Sequence, residues 1–178
     1  MIRLVGTAKR SFQFPSDIQT AMQFYADMGG LFKYLPHITL IKTYSKSKFR
    51  VLYSSTELSI YRIQLYCDLQ VTRDEENAFI EVGMLEGKKP IKPKAGMHSS
   101  RAMAKFKSTS EFKSEGERTR IYYHLNLEGE LPKPRAFNLV PDSITDHIAE
   151  SIAKRRIFEI ADGFITGSLH EFSKIPKG

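Results

Sequence analysis

The stretch Tyr61-Arg62-Ile63-Gln64-Leu65-Tyr66-Cys67-Asp68-Leu69-Gln70-Val71 decides the architecture. Tyr61, Ile63, Leu65, Cys67, Leu69 and Val71 alternate with Arg62, Gln64, Tyr66, Asp68 and Gln70, and a period of two gives an extended strand one apolar and one polar face. The apolar face must be covered by another element. Outward from this strand the same period recurs at about Ile38 to Lys46, Phe49 to Ser54, Ala78 to Leu85, Ala102 to Lys113 and Arg118 to Leu131, with a first strand from Leu4 to Phe14. Ala104, Phe106 and Phe112 face Ile121, Tyr123, Leu125 and Leu127 as inner surfaces. The short polar turns at Ser45 to Lys48, Arg73 to Asn77 and Ser114 to Glu117 make most neighbours hairpins, so the sheet is antiparallel.

Helical patterns lie at the two ends. After the first strand, Ser16 is expected to cap a helix with Gln19 closing a capping box, and Ile18, Ala21, Met22 and Tyr25 form its apolar stripe. Gly29-Gly30 should break it, and a second short helix, Leu31 to Leu35, should stop before Pro36. Pro141-Asp142 opens a long final helix whose apolar residues do not share one face. Ile144, Ile148 and Ile152 form one stripe, and Ile157, Ile160, Ala161, Phe164, Ile165, Leu169 and Phe172 lie nearly opposite. The pattern predicts a bend or break between Ala153 and Arg156. One domain over 1–173 with a frayed tail over 174–178 is expected.

The 178 residues are 41% hydrophobic, enough for one real core, since a domain of this size buries roughly 70% of its unfolded surface. A single cysteine, Cys67, excludes an internal disulfide, and there is no Asn-x-Ser/Thr sequon. The strand pattern begins at once from Met1 and no apolar run nears the ~20 residues that span a bilayer, so a cytoplasmic protein is expected. The formal net charge of +7 is local: Lys88 to Lys113 holds eight basic residues and one acid, Glu111, and the rest of the chain is balanced.

The order strand, two short helices, strand run and terminal helix resembles the helix-grip superfamily of START lipid-transfer domains, birch-pollen-type allergens and polyketide cyclases. Tyr34-Leu35-Pro36-His37-Ile38, Leu127-Glu128-Gly129-Glu130-Leu131-Pro132 and Arg156-Ile157-Phe158-Glu159-Ile160 are similar to a functionally unassigned subgroup found chiefly in cyanobacteria and plastids. The resemblance implies an α+β fold in which a curved antiparallel sheet wraps a long C-terminal helix around an internal cavity for an apolar ligand. It supplies no catalytic residues.

The candidate pocket residues are the inward Tyr61, Ile63, Leu65, Cys67, Phe106, Ile121 and Tyr123 with Ile160 and Phe164 of the final helix. They bind a hydrophobic small molecule or lipid without chemistry, or they are a filled core. A cyclase- or hydratase-like enzyme with Tyr123 or another inward polar group as acid is the alternative; a third reading is a basic interaction module with a filled core. Lys88, Lys89, Lys92, Lys94, Arg101, Lys105 and Lys107 form the candidate anion-docking set. They suit an anionic membrane or an acidic protein. Nucleic acid fits less well, because Phe106 and Phe112 face inward and leave no exposed stacking platform beside the charges. The connection from Glu86 to Arg101 lies at the sheet end where the final helix begins, placing a basic lid or docking loop at the cavity mouth.

No metal or cofactor site is expected. His37, His98, His124, His147 and His170 fall on different elements without HExxH spacing. There is no nucleophile elbow and no phosphate-cradling glycine loop, and Glu81 is a candidate acid only if its face turns inward.

Overall fold

The computed structural model describes residues 1–176, so Lys177 and Gly178 of the expected frayed tail lie outside the described residues. The strands are β1 (Ile2–Phe14), β2 (Ile38–Ser45), β3 (Lys48–Glu57), β4 (Tyr61–Asp74), β5 (Phe79–Met84), β6 (Lys94–Ala95), β7 (Ser99–Glu115) and β8 (Arg118–Leu131). The helices are α1 (Ile18–Ala26), α2 (Met28–Leu31) and α3 (Asp142–Ser173), with 3₁₀ turns at Phe32–Tyr34 and Arg135–Phe137.

The strands make one sheet in the order β1-β8-β7-β5-β4-β3-β2, with β6 beside the start of β7. Its ladders are antiparallel with one exception. β5 is too short to separate β4 from β7 along their whole length, and beyond its end the two pair directly in parallel from Arg62 opposite Ser99 to Tyr66 opposite Met103. Burial alternates as the sequence demands: Phe49, Val51 and Tyr53 on β3, Tyr61 to Leu69 at every second residue on β4, and Phe106 and Phe112 against Ile121, Tyr123 and Leu125 all lie in the core.

α3 is one uninterrupted helix, which corrects the expected break. Its buried stripe is Thr145, Ala149, Ile152, Ala153, Ile157, Ile160, Ala161, Phe164 and Ser168, positions three or four apart that hold one face. Of the expected stripe Ile144, Ile148 and Ile152, Ile144 is exposed, Ile148 is half-buried against the core and Ile152 is buried, joined by the small Thr145, Ala149 and Ala153. The helix passes close over β1 at Gly6. A Cβ on Gly6 would sit 3.0 Å from both the Ala153 carbonyl oxygen and the Ile157 Cβ. Farther along, Gly163 leaves room for the Pro36 ring, and a Cβ on Gly167 would lie 2.9 Å from the Tyr34 Cβ.

Two local expectations are also corrected. Asp17, not Ser16, caps α1, accepting from the Thr20 backbone N–H at 3.0 Å and the Thr20 hydroxyl at 2.7 Å. An ionised carboxylate is the stronger acceptor at a helix N-terminus. The break after α1 falls at Asp27, which caps the next turn through Gly30 N–H, so Gly29 and Gly30 lie within α2.

Candidate functional site

The nine candidate pocket residues converge on one interior, and each is at most 5% exposed. They are packed. The void beside Tyr123 and Phe164, also lined by Tyr25, Ser108 and Ser110, measures only about 10 Å³, against the ~300–1,000 Å³ typical of a ligand pocket. Tyr123 stacks at 5.3 Å on Phe164, and burial pushes its phenol far up despite the Ser108 hydroxyl. Burial likewise pushes the Cys67 thiol up to about 12, which makes it an inert small hydrophobe.

An apolar cleft opens at the mouth, where α3 starts. Ile2 and Leu4 of β1, Ile63 of β4 and Leu131 of β8 form the floor of a cleft of about 40 Å³; Ile148, Ala149 and Ile152 of α3 form one wall, and Leu58, Phe137 and Val140 the rim. Thr145 is the polar residue of the lining, and its hydroxyl is spent on the Asp142 carbonyl at 2.8 Å. Of the candidate pocket residues, Ile63 lines this cleft directly. Tyr61, two residues earlier on the same face, packs edge-on against Phe137 at 5.5 Å. Its hydroxyl is buried without a hydrogen-bond partner. Burial raises its pKa, partly offset by the nearby Ser100 hydroxyl, which donates its own proton to the Pro132 carbonyl. An unpaired buried phenol is costly, about 1–3 kcal/mol, and it is a donor available to a ligand.

A charged cluster that the sequence reading missed closes the opposite side of the mouth. Glu57 occupies the inward register of β3, after Phe49, Val51, Tyr53 and Ser55, and is 1% exposed. It accepts from Arg155 Nη2 at 2.6 Å and from Arg156 Nε at 2.8 Å. Arg156 Nη1 donates to Glu159 Oε2 at 2.6 Å, and His37 Nε2 lies 3.1 Å from the same oxygen. His37 reaches that place from a left-handed backbone conformation with φ of 65°. Burial alone would push the Glu57 carboxyl up, but hydrogen bonds from Arg156 and Ser55 outweigh it and hold the group below its ordinary value. Glu159 follows the same balance, with Arg156 and His37 as its partners. An inward carboxylate on an alternating strand, with two adjacent arginines on the covering helix, was the signal available in the sequence.

The candidate docking residues are dispersed. Lys88 stands over the Tyr44 ring at 4.5 Å, and the Lys89 carbonyl accepts from Arg50 at 2.7 Å. Arg50 also makes a bidentate pair with Asp68, both bonds 2.7 Å. The first half of the basic loop is thereby fastened to the outer face of the sheet. Lys107 pairs with Glu81 at 2.9 Å, which places Glu81 on the outer face, away from the interior. Lys105 lies opposite Glu128 in register. The second half of the loop does reach the mouth. The Gly96 and Met97 carbonyls accept from Arg135 and Ala136 N–H at 3.1 and 3.2 Å, and Arg62 N–H donates to His98 at 2.9 Å. There Lys94 lies beside Arg101, with Lys92 exposed just before.

Among the described residues no group of three or more His, Cys, Asp or Glu is placed to hold a metal ion, and no helix is long and apolar enough to cross a membrane.

The architecture is the helix-grip fold. A conserved protein from Geobacillus kaustophilus superposes with a TM-score of 0.56 at 10% identity, covering 94% of this chain and 95% of its own. The Zhui aromatase/cyclase from Streptomyces sp. R1128 gives 0.52 at 10% identity, covering 94% and 96%. Norcoclaurine synthase from Thalictrum flavum, solved in complex with dopamine and hydroxybenzaldehyde, gives 0.50 at 11% identity, covering 98% and 91%. At these identities the likeness is one of fold. No protein-family model and no curated protein matches the sequence.

Proposed function

We propose that this protein binds an apolar small molecule or lipid that enters through the mouth cleft, without chemistry of its own. The observation that carries the reading is the cleft itself, an apolar floor and walls whose rim residue Phe137 packs on Tyr61, a buried phenol without a hydrogen-bond partner. Burial of the ligand's apolar body would supply affinity, and Tyr61 would donate to an acceptor at its polar end. At about 40 Å³ the cleft is an entrance. A ligand deepens it by displacing the segment 132–141 and the first turns of α3, toward the interior formed by Leu65, Cys67, Phe106, Ile121, Tyr123, Ile160 and Phe164. That segment is tied to the basic loop by the Arg135 and Ala136 N–H groups on the Gly96 and Met97 carbonyls, to β7 by Ser100 on the Pro132 carbonyl, and to α3 by Lys133 Nζ on Asp142 at 2.9 Å. Lys92, Lys94 and Arg101 would add attraction toward an anionic surface.

Native mass spectrometry of freshly purified protein, followed by organic extraction, tests this reading. A stoichiometric apolar adduct supports it. Tyr61→Phe should then weaken a ligand with a polar acceptor by about tenfold, the value of one buried hydrogen bond. The packed interior favours a second reading, an interaction module with a filled core, and a clean apo mass that stays apo after incubation with extracted lipids would favour it instead. A cyclase- or hydratase-like activity would need the same opening, because Tyr123 is sealed, and would show as turnover lost in Tyr123→Phe.

A further inference from the structure

The mouth end of the molecule carries large apolar side chains in water. Leu139 is 98% exposed, Met97 59%, Ile60 58% and Ile144 50%, and Leu58 on the cleft rim is 58% exposed. They sit on three separate segments, the β3–β4 turn, the end of the basic loop and the approach to α3. The Met97–Ala136 and His98–Arg62 backbone hydrogen bonds tie these segments together. Leu58 and Ser59 hold left-handed backbone conformations, φ 50° and 63°, an unfavourable state for a leucine that turns the chain sharply at the rim. The sheet turns at the far end, 45–48, 74–79 and 115–118, have no exposed large apolar residue among those described, and Ile175, 50% exposed just beyond α3, stands at that end. The asymmetry is not a by-product of turns in general.

We infer that this end docks on a lipid bilayer bearing anionic headgroups, with Leu139, Met97, Ile60 and Ile144 inserted below the headgroups and Arg62, Lys94, Arg101 and Arg135 beside them at the phosphates. Single protrusions from separate turns suit a fluid surface, which closes around each one, whereas a protein partner would need a matching pocket for every side chain. The charges are complementary. The four cations are exposed on the same segments, Asp142 is neutralised by Lys133 at 2.9 Å, and Asp146 lies about 200° around α3 from Ile144, on the side turned away from it. Such a site penetrates only the headgroup and upper acyl region, roughly 5–10 Å. The inference rests on the mouth cleft for its purpose, since docking would place the ligand entrance at the membrane, but its inserting residues lie outside the cleft walls.

The chain has no tryptophan, so Leu139→Trp places a lone fluorescent probe at the tip. With phosphatidylcholine vesicles containing phosphatidylserine, its emission should shift to the blue and be quenched by brominated lipid. Glu117→Trp, at the far end, should show neither. The wild type should float with these vesicles at low salt, and Ile60→Asp with Leu139→Asp should lower partitioning by about tenfold per residue. Absence of wild-type flotation, unchanged partitioning of the double variant or equal quenching at both ends would overturn the inference. Binding to polyglutamate but not to vesicles would overturn it in favour of an acidic protein partner. Vesicle binding by a protein with a clean apo mass would uphold docking and remove the ligand reading; a retained ligand without vesicle binding would do the reverse.

Discussion

Along its two long sides α3 meets the rest of the molecule by opposite means. Toward β1 the contact is dry around Gly6, whose backbone lies against Ala153 and Ile157 with no polar side chain between them, and farther along the helix Arg10 donates to Asp162 at 2.6 Å. Toward β3 and His37 the contact runs through Glu57, Arg155, Arg156 and Glu159, and only beyond this cluster do Gly163 and Gly167 pack on Pro36 and Tyr34. Separating the dry side exposes apolar area and has no cheap intermediate. On the charged side each group that leaves its partner can be taken up by water, and Arg155, with 58% of its side chain exposed, is already half solvated. The helix is therefore anchored along one side and latched along the other, and the latch borders the mouth.

The hardest test of the anchor is Ile157→Ala. With 1% of Ile157 exposed, the loss should be about 4 kcal/mol in urea unfolding, from lost transfer energy plus the cavity left. It should be the same at neutral and mildly acidic pH; a pH-dependent loss would mean that the two sides are not separate. Glu57→Ala leaves two arginines facing a buried gap and should cost about 3 kcal/mol, the low end for a broken buried pair because Arg155 stays in water. Hydrogen exchange should quicken in the β3–β4 turn while β1 stays protected, and equal quickening of both would erase the comparison. Gly6→Ala should cost about 2 kcal/mol by overpacking, although alanine ordinarily suits a strand better than glycine.

Acid gives the smallest effect near neutrality. Glu57 and Glu159 have folded pKa values below the ordinary 4.5, so they bind fewer protons folded than unfolded. Their contribution is fully present above that value and is lost as the pH falls through the folded-state values. The stability gap between wild type and Glu57→Gln should therefore narrow on acidification below pH 4.5, whereas the gap for Ile157→Ala should not. A constant gap for Glu57→Gln would sink the latch.

The sheet was readable because alternation is a local property: each of β3, β4, β7 and β8 declares its inner face in its own residues. The continuity of α3 was hidden because large apolar side chains were taken as its buried face. The buried stripe also takes in Thr145, Ala149 and Ala153, which hydrophobicity alone ranks low, and of these Ala153 lies against Gly6. The interior residues were placed correctly inside the sheet, but whether they enclose space depends on side-chain volumes meeting across elements, and periodicity carries no such information. The latch joins residues about a hundred positions apart, yet two of the stretches that carried the family resemblance, Tyr34–Ile38 and Arg156–Ile160, meet in it through His37, Arg156 and Glu159. The basic loop was read as one patch at the mouth; the Arg50–Asp68 pair, invisible to spacing, draws its first half away.

The pairing of β1 with β8 has a kinetic consequence. Ile2 lies opposite Leu131 and Phe14 opposite Thr119, so β1 has no partner until β8, at the other end of the strand run, has been synthesised. Contacts that close so long a loop slow the search for the native state. Until β8 arrives, β1 is an unpaired edge with an apolar face, the kind of segment that invites association with other chains. α3, which covers that strand, emerges later still. The interior of this protein is thus sealed by an element that follows the whole sheet in the chain, and refolding from denaturant should show a slow, concentration-sensitive phase that ends when β1 becomes protected.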